Sequence, residues 1–202
     1  MINRMDRAAV SRAVVFCLTI LWCAHAAAQQ GPPEDMGVCF KLGAGLGQGW
    51  TYYSDSSGED GDGMTDLETL SVGFGVLGWL QLTADFSHTL TRMDGDWMAT
   101  HTLGLGPTAY IRSWSAWAFA GPVYGVASTR EEQGCEDGVD ADPVLGVRFA
   151  AGRDWWLSDS IAVGTGLVVQ HVWIPEDEDT QLTGGVFCAG AQFTVTLAPW
   201  GD

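Results

Sequence analysis

The sequence predicts an all-β fold, a closed antiparallel up-and-down transmembrane β-barrel of about eight strands. Three observations predict it. Large apolar side chains alternate with small or polar ones in runs of about ten residues, the connections between runs alternate between short and long, and the acidic residues cluster in the long connections. A strand needs about 9–11 residues to cross a bilayer, so these runs have membrane-spanning length.

The clearest example is the stretch 144–173, VLGVRFAAGRDWWLSDSIAVGTGLVVQHVW. Its first arm alternates Leu, Val and Phe with Gly, Ala and Arg. After a turn at 155–159, the second arm alternates Ile, Val, Thr and Leu with Ala, Gly, Val and Gln. A soluble β-sandwich buries its large side chains, whereas a membrane barrel turns them toward lipid and keeps small and polar groups inside. We therefore interpret this hairpin as one quarter of an outer-membrane barrel.

Composition excludes some classes of function. The chain has 202 residues, of which 47% are hydrophobic and 17% charged, with 27 Gly, 10 Trp and a net charge of −16. The acidic residues cluster at 55–66, 131–142 and 176–179. A hydrocarbon solvent would impose such a separation of charge from strands. Because no basic patch is present to neutralise phosphates, the protein is not expected to bind nucleic acid.

The N-terminal residues predict a processing segment. Arg4, Arg7 and Arg12 precede an apolar run at 13–23, and the small residues that follow end at Ala28. This order is typical of a secretory signal peptide, so we expect residues 1–28 to be removed. Residues 29–36 are expected to form a short periplasmic leader, and residues 37–202 the barrel. No later stretch approaches the roughly 18 apolar residues of a spanning helix.

Each strand is predicted from its own alternation. The expected spans are about 37–47, 69–76, 80–87, 102–111, 116–127, 144–152, 161–170 and 181–197. The fifth is the least regular because Pro122 interrupts it, so either of its faces could point outward and a bulge is expected there. The predicted long loops are 48–66, 91–97, 128–143 and 175–180, and the short turns lie at 78–79, 113–115 and 155–159.

Tryptophans mark the ends of these spans. Trp residues accumulate at membrane–water interfaces, so those near the turns and loops are predicted to form interfacial girdles. The girdle residues are Trp79, Trp114, Trp117, Trp155, Trp156 and Trp173, with Trp50, Tyr52 and Trp97 added on the loop side.

At this point the chain resembles the small eight-stranded outer-membrane β-barrels of the OmpA and OmpX type. The resemblance covers about 37–197 and rests on the hairpin pattern, the Trp positions and the signal peptide. The last strand, with Gly190, Phe193 and Val195, is similar to the closing signal of that family, although the tail continues to Asp202. The resemblance implies a monomer in the outer membrane of a Gram-negative bacterium, in contact with lipid and lipopolysaccharide and inserted by the barrel assembly machinery.

Charged residues on the inner faces predict a polar network in the lumen. Lys41, Asp85 and Arg148 fall on inward positions of their strands. A buried charge is costly unless it is paired, so Arg148 is expected within salt-bridge reach of Asp85, or otherwise of Asp154.

No chemical site is expected beyond that network. The acidic loop that begins at Asp55 lacks the Gly and Glu of an EF-hand at the sixth and twelfth positions, so no metal is predicted. His88 and His101 are expected to be cross-strand neighbours, but Ser87 lies on the opposite face from His88, so no catalytic residues and no cofactor are expected. Cys39, Cys135 and Cys188 follow the signal peptide, and no disulfide between Cys39 and Cys188 is expected, since they lie at different depths.

The predicted function is that of a non-enzymatic barrel with a structural or surface-interaction role, since eight strands leave little room for an open porin. Three alternatives stay open: a lipid A-modifying barrel enzyme, a narrow cation-favouring channel, and a secreted lipocalin-like binding barrel.

Overall fold

The structure is a computed structural model that describes residues 37–53, 61–92, 96–131, 141–174 and 184–199. Its strands are β1 (Val38–Tyr53), β2 (Gly61–Leu77), β3 (Leu80–Arg92), β4 (Asp96–Ile111), β5 (Ala116–Glu131), β6 (Ala141–Ser158), β7 (Ile161–Ile174) and β8 (Gly184–Leu197). A 3₁₀ turn at Arg112–Trp114 joins β4 to β5. No helix within these residues is long and apolar enough to cross a membrane.

The eight strands form one closed antiparallel ring in sequence order, and β1 pairs with β8 to close it. The connections 78–79, 112–115 and 159–160 are short and lie at one end, which we call the turn end. The opposite, loop end carries the longer connections. Closure leaves no unpaired strand edge, which a lipid environment requires because it offers no hydrogen-bond partners. The predicted up-and-down barrel is therefore confirmed.

The register fixes which strands share a depth. The register can be followed from Asp154 on β6 to its partner on the next strand, and so on around the ring. This path passes through Thr194, Ser87 and Gly125 and returns to β6 at Val144, not at Asp154. The strands are therefore staggered, which tilts them by roughly 40° to the barrel axis. This stagger brings β1 and β6 side chains together across the lumen near the turn end.

The outer wall is apolar and the inner face is small or polar. Large side chains exposed on the outer wall include Leu42, Phe74, Leu82, Leu105, Leu145, Phe149, Leu167 and Phe193. Inward glycines are needed where side chains cross the lumen: a Cβ on Gly43 would collide with the Thr69 hydroxyl and the Gln192 amide. The inverted alternation that the sequence predicted is thus present on every strand.

Most strands run further than predicted at the loop end. Residues 48–53 and 61–66, expected to belong to the first loop, continue the β1–β2 ladder through the pairs Gln48↔Met64 and Trp50↔Asp62. Part of the predicted third loop likewise belongs to β5 and β6, where Ser128 pairs with Ala141. Backbone pairing persists where the outward side chains become polar, so hydrophobic alternation alone underestimates the strands.

Strand β5 differs from the expected bulge. Its pairing with β4 and β6 shows no register shift, and its inward residues are Trp117, Phe119, Val123 and Ala127. The β4–β5 ladder is instead interrupted between the pairs Gly104↔Val123 and Thr108↔Phe119. Pro107 and Pro122 lie in this gap, and neither has an N–H to donate.

Some predictions lie outside the described residues. These are the signal peptide and leader at 1–36, Cys135, and most of the acidic positions in the loops. They stay predictions.

Candidate functional site: the barrel lumen

A buried ion pair lies in the lumen near the turn end. Lys41 is the fourth residue of β1, and its Nζ lies 2.9 Å from Oδ2 and 3.2 Å from Oδ1 of Asp154 on β6. Trp117 on β5 contacts both partners: its Nε1 donates to Asp154 Oδ1 at 3.1 Å, and the Lys41 ammonium lies 3.7 Å from the centroid of its ring. The cation is thus stabilised by a carboxylate and an aromatic face together.

A second ion pair lies about half-way up the lumen. Arg148 Nε lies 2.8 Å from Asp85 Oδ2, although its N–H is not directed at that oxygen, so the contact is ionic without a hydrogen bond. Ser71 donates to Asp85 Oδ1 at 2.5 Å, and Arg148 Nη1 donates to Gln170 Oε1 at 3.0 Å. Ser87 donates to the same amide oxygen at 3.0 Å. Five side chains from four strands are therefore tied together.

Little space remains between the two ion pairs. A cavity of about 30 Å³ lies beside Lys41, Asp85 and Arg148, enough for about two water molecules. The Gln81 Nε2 atom at its edge has no protein partner, so it can donate to such a water. The turn-side half of the lumen is therefore packed with paired polar side chains.

The loop-side half of the lumen has a different chemistry. Its apolar cluster comprises Met98, Val123, Ala127, Val144, Val172 and Val186, all buried, with Ile174 packed against them. Hydroxyls line the neighbouring β2–β4 wall: Thr65 bonds Thr91 at 2.8 Å, and Thr89 bonds Thr100 at 2.5 Å. These threonines satisfy one another, so this half also fills the barrel without ions.

The structure places Lys41, Asp85 and Arg148 in the lumen, as the alternation indicated. Each is nearly inaccessible to solvent. Arg148 has Asp85 as its partner, and Asp154 serves Lys41 instead. The sequence predicted Asp154 only as a second partner for Arg148, because Asp154 lies just before the turn that was predicted to begin at Trp155. The alternation of β6 in fact continues to Ser158 and carries Asp154 inward.

Of the tryptophans predicted for the girdle, four lie on the outside of the barrel and two do not. Trp79, Trp114 and Trp173 are exposed on the outside. Trp155 also lies on the outer side, half-buried, with the Arg153 guanidinium 5.9 Å from its ring centroid.

Trp117 and Trp156 are not girdle residues. They are 5% and 1% exposed and belong to the buried cluster inside the barrel. Trp117 faces inward within the predicted span of β5, whereas Trp156 faces inward where β6 extends further toward the turn end than expected. Proximity to a turn therefore does not determine the face on which a side chain lies.

On the loop side, Trp50 and Tyr52 are exposed, and Trp97 is half-buried beneath the Arg92 guanidinium at 4.0 Å. Cys39 and Cys188 are buried free thiols. Cys188 pairs in register with Gly49, ten residues along β1 from Cys39, so the two thiols lie at different depths as expected.

The histidines lie apart from this network. His88 and His101 face outward on adjacent strands, whereas Ser87 points into the lumen and hydrogen-bonds Thr102 and Gln170. Ser87 therefore cannot reach His88. Among the described residues, no group of three His, Cys, Asp or Glu side chains is arranged to hold a metal ion.

No protein-family model matches the chain. A search of curated proteins likewise finds no match. Solved structures do match. Neisserial surface protein A is 14% identical with a TM-score of 0.48, covering 79% of this chain and 96% of that one. The attachment invasion locus protein Ail of Yersinia pestis is 10% identical with a TM-score of 0.38, covering 78% and 99%. The outer membrane protein OprG of Pseudomonas aeruginosa is 9% identical with a TM-score of 0.39, covering 83% and 98%.

Because these sequence identities are low, the fold is assigned from the geometry of the chain itself. A closed antiparallel ring of eight strands, leucine-rich outside and held by ion pairs inside, is the architecture of small outer-membrane β-barrel proteins. The chain has that fold.

Proposed function

We propose that this protein acts in the outer membrane through its outer surfaces and loops, in a structural or surface-interaction role, and not by transport through its lumen. The observation that carries the proposal is the filled lumen. Two ion pairs and their hydrogen bonds occupy the turn-side half, and an apolar cluster closes the loop-side half.

The two layers argue against an open pore for different reasons. An ion entering from the loop end would have to displace Val123, Val144 and Val172 from their contacts and lose its own hydration in an apolar layer. Deeper in the barrel it would meet Arg148 and Lys41, each already paired and hydrogen-bonded. The cavity of about 30 Å³ beside these pairs holds about two water molecules, which is less than the hydration shell of an ion.

The surfaces available for interaction are acidic. The chain carries a net charge of −16, and acidic clusters lie at 55–66, 131–142 and 176–179. Such loops favour cationic partners and divalent ions that bridge them to the phosphates of lipopolysaccharide. With a cleaved signal peptide and insertion by the barrel assembly machinery, the protein would present these loops outside a Gram-negative cell as a monomer.

Planar-bilayer recording of the purified protein tests the proposal. We expect no stable large conductance, because the lumen is filled. A matched variant with Val123, Val144 and Val172 all changed to Gly removes the apolar layer and should raise the frequency of small openings. A stable, large and weakly selective conductance from the unmodified protein would overturn the proposal in favour of a porin.

A narrow cation path is the second candidate. It is favoured by lumenal polar atoms without protein partners, Gln81 Nε2 and Thr194 Oγ1, which can hold water along the polar half. In the same recordings, a small conductance that favours cations and changes when Lys41 or Arg148 loses its charge would support it. An enzymatic role in lipid A modification gains no support from Ser87, which points away from His88.

A further inference from the structure

Two histidines meet on the outer wall without a structural role in the lumen. His88 on β3 and His101 on β4 are direct cross-strand partners. Their Nδ1 atoms lie 3.2 Å apart, and the rings stack with centroids at 4.4 Å and planes inclined by 30°. Both nitrogens face each other, so one proton or one cation can be shared between them.

Carboxylates adjoin this pair on the outer wall. Glu68 on β2 is the direct register partner of His88, and Asp66 lies two residues further toward the loop end on the same outward face. Carboxylate and imidazole together are an uncommon set for a lipid-facing wall, where ionisable groups usually mark a site.

Glu68, His88 and His101 form a row across three adjacent strands. Leu70 on β2, Phe86 on β3 and Leu103 on β4 are exposed apolar residues, and each is followed two residues toward the loop end by Glu68, His88 and His101 respectively. On each of these three strands, the ionisable side chain thus follows an exposed apolar one toward the loop end.

The separation of the nitrogens suits a metal ion. Zinc binds imidazole nitrogen at about 2.0–2.1 Å, so two such ligands of a tetrahedral site lie about 3.3 Å apart. A metal ion at that distance from both Nδ1 atoms would sit roughly 1.3 Å off the line joining them. Small rotations of two partly exposed rings supply that displacement.

We propose that His88 and His101 form a binding site for a divalent transition-metal ion of the zinc class on the outer wall of the barrel. The two imidazoles are the protein ligands, Glu68 is an outer-shell carboxylate beside them, and water or a lipid phosphate completes the shell. The class follows from the ligands, since imidazole nitrogen suits Zn²⁺, Ni²⁺ and Cu²⁺ better than Mg²⁺ or Ca²⁺. The bound metal ion replaces the proton shared by the two rings and would link β3 to β4.

His171 provides the matched control. It also faces outward near the loop end, but its Nε2 lies 2.7 Å from the Tyr52 hydroxyl and its ring contacts Trp173 edge-on at 4.4 Å. It shares no nitrogen with a second histidine. His171→Ala therefore removes an imidazole of similar depth without touching the proposed site.

The test is titration of the full refolded chain in detergent with Co²⁺, which reports nitrogen ligation and low coordination number by its visible absorption. An excess of Mg²⁺ is present throughout, so that the acidic loops bind Mg²⁺ and not Co²⁺. We expect saturation at one equivalent and displacement of Co²⁺ by Zn²⁺. Loss of an outer-shell partner weakens metal sites by about 10–100-fold, so Glu68→Gln should weaken binding by roughly tenfold. His88→Ala and His101→Ala each remove a direct ligand and should weaken binding by roughly 100-fold or more.

His171→Ala should bind as the unmodified chain does, and the heat-dependent electrophoretic mobility of each variant confirms that the barrel has folded. Binding that survives both His88→Ala and His101→Ala would assign the metal to the acidic loops and overturn the proposal. So would the absence of any absorption change at one equivalent. In that case the pair is a hydrogen-bonded imidazole contact only.

Discussion

The two halves of the lumen fill the same narrow space by opposite means. The turn-side half buries Lys41 against Asp154 and Trp117, and its neighbouring ion pair joins Arg148 to Asp85. The loop-side half is filled by valines and a methionine on β4–β8, with self-satisfied threonines on β2–β4. Eight strands leave room for one layer of side chains, and either chemistry can occupy it.

The difference teaches where this barrel is sensitive to substitution. A buried ion pair contributes little net stability when intact but is costly to break, because the remaining charge has lost its water. An apolar layer loses free energy only in proportion to the methyl groups removed. The two halves should therefore respond very differently to the loss of one side chain.

The largest effect is expected for Asp154→Ala. It leaves the Lys41 ammonium buried without its carboxylate and removes the acceptor of Trp117 Nε1. Removing one partner of a buried pair costs roughly 3–5 kcal/mol. The free energy of unfolding, measured by urea titration of Trp fluorescence in lipid vesicles, should fall by that amount.

The double variant Lys41→Met, Asp154→Leu is its control. It removes both charges and keeps apolar volume, so most of the lost stability should return. An Asp154→Ala variant that unfolds like the unmodified protein would mean that water already reaches Lys41, and the polar half would then not be a closed plug.

Much of the fold could be predicted from the sequence because a barrel repeats a single physical rule. Period-two alternation gave the strand count and the inward position of Lys41, Asp85 and Arg148. The pairing of Arg148 with Asp85 followed from the cost of an unpaired charge. The strand count and the facing of these residues depend on local pattern alone, and the pairing could be predicted because the sequence offers Arg148 few inward carboxylates.

The predictions that failed depend on how the ring of strands closes and on where each strand ends. Which residues meet across the lumen is set by the stagger of the ring, and no single hairpin encodes it, so the Lys41–Asp154 pair was not foreseen. The sequence predicted Trp117 and Trp156 in the girdle because both lie next to short turns. Trp117 in fact faces the lumen within the predicted span of β5, and the alternation of β6 continues past its predicted turn and carries Trp156 inward. The polar outward residues of β1 and β2 hid the length of both strands.

A smaller effect is expected for Val172→Ala in the apolar half. Val172 is buried in the cluster with Val144 and Val186. Losing two buried methyl groups costs about 2 kcal/mol, less if neighbours close the cavity. The same vesicle titration measures the change. A loss as large as that of Asp154→Ala would show that the two halves do not differ in the way their chemistry implies.

The smallest effect is expected for Thr89→Val, an isosteric change in the threonine ladder beside the apolar cluster. Thr89 and Thr100 bond each other at 2.5 Å, and both are 1% exposed. The variant removes one hydrogen bond, worth about 1 kcal/mol, and leaves the Thr100 hydroxyl to find another partner. The double variant Thr89→Val, Thr100→Val removes both hydroxyls and should regain stability, because the paired valines extend the adjoining apolar layer. If instead the double variant loses the sum of two single losses, the hydroxyls are held by further partners or by water, and this half of the lumen is wetter than its valines indicate.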